Sequence, residues 1–192
     1  MIALLIGLVV FLGVHLVPTR PALRGGLQDR LGQGGYKGLF SIVAAIGLVL
    51  IIWGKAEAPF IAIWNPPVWT RHVPLALMPI ALILLVAAYV PNNLRRVVKH
   101  PMLAAVKLWA LVHLLANGDL ASMLLFSALL AFPVLDVISA NSRASPPLPP
   151  RVHPLLDVLS SLIVIVAYMG LMHVHRHSPG VSVISSRSTL TP

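Results

Sequence analysis

The stretch HPMLAAVKLWALVHLLANGDLAS, residues 100–122, combines an apolar run typical of a membrane helix with two histidines, a lysine and an Asn-Gly-Asp triplet. Polar groups inside a membrane span are costly, usually face the interior of the protein and often mark functional sites. His100 and His113 are separated by about 140° around a helix axis and by about 20 Å along it. They cannot bind one metal ion together, so His113 needs a partner from another helix.

This helix is predicted to carry two polar stripes. Lys107 follows His100 by seven residues and shares its face, whereas Trp109, His113 and Asn117 follow at intervals of four and form a second face. The first stripe can extend to a basic cytoplasmic loop, because long lysine side chains reach the membrane surface. The second stripe points inward, and Asn117 is placed to orient the His113 imidazole.

The triplet at residues 117–119 predicts a tight turn between two helices. Gly118 tolerates a positive φ at a helix C-terminus, and Asp119 is a good N-cap for the apolar helix that follows. A helical hairpin accounts for the Gly and the Asp without any ligand.

Composition indicates a membrane protein. Of 192 residues, 58% are hydrophobic and only 10% are charged, which is too little charge for the surface of a soluble domain. Fourteen Lys and Arg residues outnumber five Asp and Glu, but they lie in short connections, a pattern that argues against nucleic-acid binding. The chain has no cysteine, so disulfides, thiolate metal sites and cysteine nucleophiles are excluded.

Six apolar runs have about the length that a membrane-spanning helix needs. Each can cross the bilayer only as a helix, because no water satisfies the backbone there. We therefore predict an all-α, polytopic membrane helix bundle of about six transmembrane helices over residues 1–173 and a polar, disordered tail over residues 174–192. The runs lie at residues 1–17, 38–54, 73–91, 101–117, 120–138 and 155–173.

The basic residues predict the orientation of these helices, because cytoplasmic loops are enriched in Lys and Arg. The first, third and fifth connections are therefore predicted to be cytoplasmic and both termini periplasmic. The first connection contains GGLQDRLGQGGYKG, residues 25–38, predicted to be a flexible loop, and the fifth contains a proline-rich linker at residues 140–152. Nine basic residues lie in these connections (Arg20, Arg24, Arg30, Lys37, Arg95, Arg96, Lys99, Arg143 and Arg151) and four lie opposite (Lys55, Arg71, Arg176 and Arg187).

Two of the eight histidines, His15 and His113, lie inside apolar runs, and His100 lies at the entrance to the fourth run. The residues alone leave two roles open for each intramembrane histidine: a hydrogen bond to a neighbouring helix, or a metal or cofactor ligand. Asp136 and Asp157, near helix ends, are predicted to anchor the linker between them.

Two segments resemble a known family. FLGVHLVPTRPALR, residues 11–24, and HPMLAAVKLWALVHLLANGDLASMLLF, residues 100–126, resemble the NnrU family, bacterial inner-membrane proteins linked to nitrite and nitric oxide respiration. The family is similar in turn to zeta-carotene isomerase, a membrane protein that carries haem b. By this similarity His15 and His113 match haem-ligand histidines, and His100 matches a further family histidine. Ala110 stands where the isomerase has a cysteine.

The resemblance implies a multi-pass inner-membrane protein that binds haem b through His15 and His113, with His100 and Asn117 at the cofactor. It implies a role in denitrification by redox sensing, electron transfer or reductase assembly, with nitrite or nitric oxide reductase components as partners. A haem-dependent isomerase acting on an apolar substrate is the alternative, and a small transporter is the third. Catalysis stays open, and no catalytic residue is assigned.

The predicted topology separates the two histidines in depth. His15 lies near the cytoplasmic end of its helix and His113 near the outer end of its own, a difference of about 10 Å or more. A two-histidine haem site therefore requires either a first helix that continues past Pro18 or an Asn-Gly-Asp turn that is sunk into the bundle.

Overall fold

The computed structural model describes residues 1–141 and 148–177, and the regular elements in this part of the chain are helices. Each of the six predicted runs forms one α-helix, so the all-α prediction is confirmed. The last helix continues to His177, four residues into the segment predicted as a tail. Residues 178–192, which hold the rest of that tail, lie outside the described residues. The helices are α1 Ile2–Leu16, α2 Pro21–Ala56, α3 His72–Tyr89, α4 Pro101–Ala116, α5 Leu120–Asn141 and α6 Pro154–His177.

Within residues 1–141 and 148–177, five helical segments are long and apolar enough to cross a membrane. The exception is α4, whose 16 residues extend about 24 Å, less than the roughly 30 Å of a bilayer core. Many large apolar side chains are exposed on the helices, which suits a surface in contact with lipid. The chain is therefore a multi-pass membrane protein. The five segments are Ile2–Thr19, Pro21–Ala56, Val68–Tyr89, Leu120–Asn141 and Pro154–Val174.

The flexible loop predicted over residues 25–38 is wrong, because this segment is helical and belongs to α2. Pro21 occupies the first turn, where its missing N–H costs nothing, and leucines at every fourth position continue the helical pattern. Gly32, with φ 70° and ψ 164°, is the one non-helical residue inside α2. Glycine adopts this positive φ without a Cβ clash, so it divides α2 into two helical parts.

The chain forms two compact units, which are described separately. The first comprises Met1–Pro66 and His113–Pro147, and the second comprises Pro67–Val112 and Leu148–Pro192. The first unit therefore contains α1, α2, the last turn of α4 and α5. The second contains α3, most of α4 and α6.

In the first unit, α1 and α2 form an antiparallel pair whose backbones approach closely at glycines. A Cβ added at Gly47 would lie 2.8 Å from the backbone nitrogen of Phe11, and one at Gly7 would lie 2.7 Å from that of Ile51. A Cβ at Gly54 would meet the backbone of Leu4. Such small residues are what lets membrane helices pack tightly, since lipid provides no hydrophobic drive between them.

In the second unit, Asp157 anchors the connection before α6. Its carboxylate accepts hydrogen bonds from the backbone N–H of Asn93 at 2.9 Å and from the Asn93 side-chain amide at 2.7 Å. The Asn93 amide also donates to the carbonyl oxygen of Val152, and its Oδ1 accepts from the Val152 N–H. This is the anchoring role that the sequence predicts for Asp157. Of the predicted linker, residues 148–152 are not helical, and residues 142–147 lie outside the described residues.

Candidate functional site

His15 lies in the last turn of α1, and one of its ring nitrogens is bound to the helix backbone. Nδ1 lies 2.6 Å from the carbonyl oxygen of Phe11. A carbonyl oxygen can only accept, so this contact assigns the proton of a neutral imidazole to Nδ1. Nε2 then keeps its lone pair. An imidazole oriented in this way is typical of a histidine that binds a metal through its second nitrogen.

Aromatic rings from three helices surround the His15 imidazole. Its ring centroid lies 4.2 Å from that of Phe11, 5.2 Å from Phe40 of α2 and 5.7 Å from Phe132 of α5. His15 therefore sits where α1, α2 and α5 meet, against one phenyl ring from each helix. The phenylalanines carry no signal in the sequence, since single aromatic residues are common in every apolar run.

Tyr36 extends this aromatic group along α2, with its ring centroid 6.3 Å from that of Phe40. Only 8% of Tyr36 is exposed, and its hydroxyl has no hydrogen-bond partner within the described residues. Buried hydroxyls are normally bonded, because an unpaired one costs about 1–3 kcal/mol. The sequence analysis missed Tyr36, whose position in a supposed loop gave no sign of burial.

His113 lies in the last turn of α4, and its imidazole packs against a phenyl ring of α5. The ring centroids of His113 and Phe126 are 4.8 Å apart, with the planes tilted by 32°. Within the first unit, His15 and His113 thus contact the same helix at Phe132 and Phe126. Six residues of α5 correspond to about 9 Å along its axis.

This offset agrees with the depth difference predicted for the two histidines. Of the two conditions predicted for a shared site, a first helix that continues past Pro18 is met only by a 3-10 turn over Val17–Thr19, which follows the end of α1 at Leu16. Two imidazole nitrogens that bind one metal ion each lie about 2 Å from it. The pairing of His15 with His113 on one iron stays a prediction.

The Asn-Gly-Asp turn is covered by the connection that follows α2. The backbone N–H groups of Ile63 and Trp64 donate to the carbonyl oxygen of Gly118 at 2.8 and 3.2 Å, and the N–H of Leu120 donates to Ile61 at 2.8 Å. The Trp64 indole N–H donates to the carbonyl oxygen of Asn117 at 3.2 Å. The predicted tight turn is therefore present, and it is bonded to a segment more than fifty residues earlier in the chain.

Gly118 is required by this contact. A Cβ at residue 118 would collide with the carbonyl oxygen of Trp64 and would lie 2.8 Å from Cδ of Pro66. The Asn117 side chain takes part in the same helix end, since its amide donates to the backbone carbonyl oxygen of His113 at 2.7 Å. This bond closes the last turn of α4. It supports the backbone that carries His113.

Asp119 both caps the start of α5 and forms an ion pair with Lys55. One carboxylate oxygen accepts from the Ser122 backbone N–H at 3.0 Å, which confirms the predicted N-cap. The same oxygen lies 2.8 Å from Nζ of Lys55, at the end of α2. Burial raises the pKa of Asp119, but the hydrogen bonds from Lys55 and Ser122 and the charge of Lys55 outweigh it, so the pKa lies below its ordinary value of 3.8.

The remaining predicted residues of α4 belong to the second unit. His100 precedes the helix, and its carbonyl oxygen accepts from the Ala104 N–H at 3.0 Å, the first bond of α4. Ala110 is fully buried. Within the described residues, no three His, Asp or Glu side chains form a group that could hold a metal ion.

Comparison with known proteins yields one family. A family model described as "NnrU protein" matches residues 3–183, nearly the whole chain. No curated protein and no solved structure matches the chain.

Proposed function

The chain belongs to the NnrU family, and on this premise we propose that it is a bacterial inner-membrane protein that binds haem b and supports nitrite and nitric oxide metabolism. The observation that supports haem binding best is the His15 imidazole, whose Nδ1 is bound to Phe11 and whose Nε2 keeps a free lone pair. Haem iron is held by such a neutral histidine nitrogen in many proteins. His15 is therefore the proposed first ligand.

The surroundings of His15 also suit haem. The phenyl rings of Phe11, Phe40 and Phe132 form apolar walls around the imidazole, and such walls suit the apolar faces of a haem. When bound, haem supplies an iron that exchanges single electrons. The chain itself contributes the ligand, the apolar walls and the fixed ring orientation.

His113 is the proposed second ligand, by its match to the family. Its imidazole lies against Phe126, six residues before the Phe132 that contacts His15, so α5 lies beside both proposed ligands. Asn117 supports that turn through its bond to the His113 carbonyl oxygen. His100, in the second unit, is proposed as a further cofactor residue on the resemblance alone.

Absorption spectra of the purified full chain test the proposal. We expect a Soret band whose α and β bands sharpen on reduction, and its loss in His15→Ala. His113→Ala should keep haem but change its spectrum to that of a five-coordinate iron. An unchanged spectrum in His113→Ala would refute the two-histidine pairing and leave haem binding intact. A chain without any Soret band, even after incubation with haemin, would refute the whole proposal.

The physiological role proposed with haem binding is redox sensing, electron transfer or assembly of a nitrite or nitric oxide reductase. The three roles are separated by deletion of the gene followed by measurement of reductase transcript, abundance and activity. Loss of the transcript indicates redox sensing, loss of the protein with a normal transcript indicates assembly, and normal protein with slowed turnover indicates electron transfer. The isomerase alternative is weaker, because the buried Ala110 offers no ligating atom where the isomerase has a sulfur.

A further inference from the structure

The first part of α2, Pro21–Leu31, is not needed for crossing the membrane. The helical residues after Gly32, 33–56, number 24 and extend about 36 Å, more than the roughly 30 Å of a bilayer core. The eleven residues before Gly32 are thus an additional helix, joined to the span at a residue with a positive φ. We call residues 21–31 the N-terminal segment of α2.

The N-terminal segment is amphipathic. Leu23, Leu27 and Leu31 follow each other at four-residue intervals and form a stripe about 80° wide. Arg24 and Arg30 lie about 20° beyond its two edges, so each arginine borders the leucine stripe. Asp29 lies about 160° from the centre of the stripe, on the opposite face. Basic residues beside an apolar stripe are typical of helices that lie in the membrane interface.

Two of the three leucines on the apolar face are exposed, and Leu27 between them is partly buried. Leu23 is 48% exposed and Leu31 is 45% exposed. Within residues 20–37, the basic residues Arg20, Arg24, Arg30 and Lys37 face one acidic residue, Asp29, which gives a net charge of +3. The positive charge favours an anionic partner. The exposed leucines favour a partner that has an apolar layer beneath its charged groups, as a phospholipid bilayer has.

We propose that the N-terminal segment of α2 is an interfacial helix that binds the head groups of anionic phospholipids. The leucines enter the acyl boundary, Arg24 and Arg30 contact lipid phosphates, and Asp29 faces water. Gly32 permits the change of direction between a helix in the interface and a helix across the bilayer. The segment lies in a connection that is predicted to be cytoplasmic. This location agrees with binding to anionic lipid, because the cytoplasmic leaflet is rich in it. This inference is independent of haem binding.

Spin labels test the orientation of the segment, and the absence of cysteine from the chain makes single labelling straightforward. Leu27→Cys and Asp29→Cys are labelled in the full chain and reconstituted in phosphatidylcholine alone or mixed with phosphatidylglycerol. We expect the label at residue 27 to be relaxed by oxygen and the label at residue 29 by a water-soluble nickel complex. The contrast should grow with phosphatidylglycerol.

Charge variants test the lipid preference. A basic residue near an anionic surface adds about fivefold to its partitioning, so Arg24→Gln with Arg30→Gln should reduce the membrane-bound fraction of the label at residue 27 and abolish its dependence on phosphatidylglycerol. The control, Arg71→Gln with Arg151→Gln, removes two exposed arginines elsewhere. It should change neither the membrane-bound fraction of the label nor its dependence on phosphatidylglycerol. Equal access of nickel to both labels, or a membrane-bound label insensitive to lipid charge, overturns the proposal. Spin–spin broadening between copies also overturns it, since a second chain then covers the leucines.

Discussion

Nζ of Lys55 lies 2.8 Å from a carboxylate oxygen of Asp119, although 64 residues separate them in the sequence. The pair connects the end of α2 to the first residue before α5, and the same oxygen caps α5 through Ser122. Asp119 is 7% exposed, so its charge depends on these partners. The Asn-Gly-Asp turn therefore holds the end of α2 against the start of α5. Asn117 of the same turn bonds the backbone of His113, the proposed second haem ligand.

The ion pair should contribute measurably but modestly to stability. We expect a double-mutant cycle of Lys55→Met and Asp119→Asn to give a coupling free energy of about 1 kcal/mol, because the half-exposed lysine keeps part of its hydration. The measurement is thermal unfolding of the protein in detergent, followed by tryptophan fluorescence. Asp29→Asn, on an exposed face of α2, is the control and should leave the midpoint unchanged. Purely additive effects of the two single variants would contradict the coupling.

Asp119 should make the protein less stable in acid. Its pKa is lowered in the folded state from the ordinary 3.8, so its stabilising contribution is complete above that value and is lost as the pH falls through the lower folded pKa. We expect the midpoint of wild type to drop in this acidic range by more than that of Asp119→Asn. Parallel pH profiles for the two proteins would show that Asp119 does not titrate as argued.

Gly118→Ala should destabilise the protein severely, because the added methyl group collides with the Trp64 carbonyl oxygen. We expect a loss of about 2 kcal/mol or more, in the range of overpacked cores, seen as a lower unfolding midpoint. Gly13→Ala is a matched control, since a Cβ at residue 13 meets nothing within 4 Å and alanine favours a helix. Equal midpoints for the two variants would rule out the close approach.

In the ligand-free protein, removal of the Tyr36 hydroxyl should not lower the stability. Tyr36→Phe deletes a buried hydroxyl with no partner in the described chain. The free energy of unfolding should therefore stay unchanged or rise by about 1 kcal/mol, and the unfolding midpoint should not fall. Tyr168→Phe is the comparison, because Tyr168 donates to the Leu75 carbonyl oxygen at 3.1 Å. It should lower the midpoint. A destabilised Tyr36→Phe chain would reveal a partner for that hydroxyl.

Several features of the fold follow from the sequence because they depend on short-range chemistry. Lipid forces each apolar run into a helix, so all six helices were predictable from their length. The cap of Asp119 involves Ser122, three residues on. Gly118 does not adopt the positive φ anticipated from the sequence, and it is required by the close approach of Trp64. The segment at residues 25–31 was missed, because glycines and charges masked a four-residue leucine pattern.

The sequence by itself determined the number of helices, their membrane character and the two histidines that lie inside them. Only the tertiary structure decided what those residues touch: the Phe11, Phe40 and Phe132 rings around His15, the lysine that pairs with Asp119, and the contact of His113 with Phe126, about 9 Å along α5 from Phe132. Helical periodicity specifies which face a side chain occupies. Its depth relative to another helix depends on how the backbones pack, and in α1 and α2 that packing is set by glycines that allow close approach.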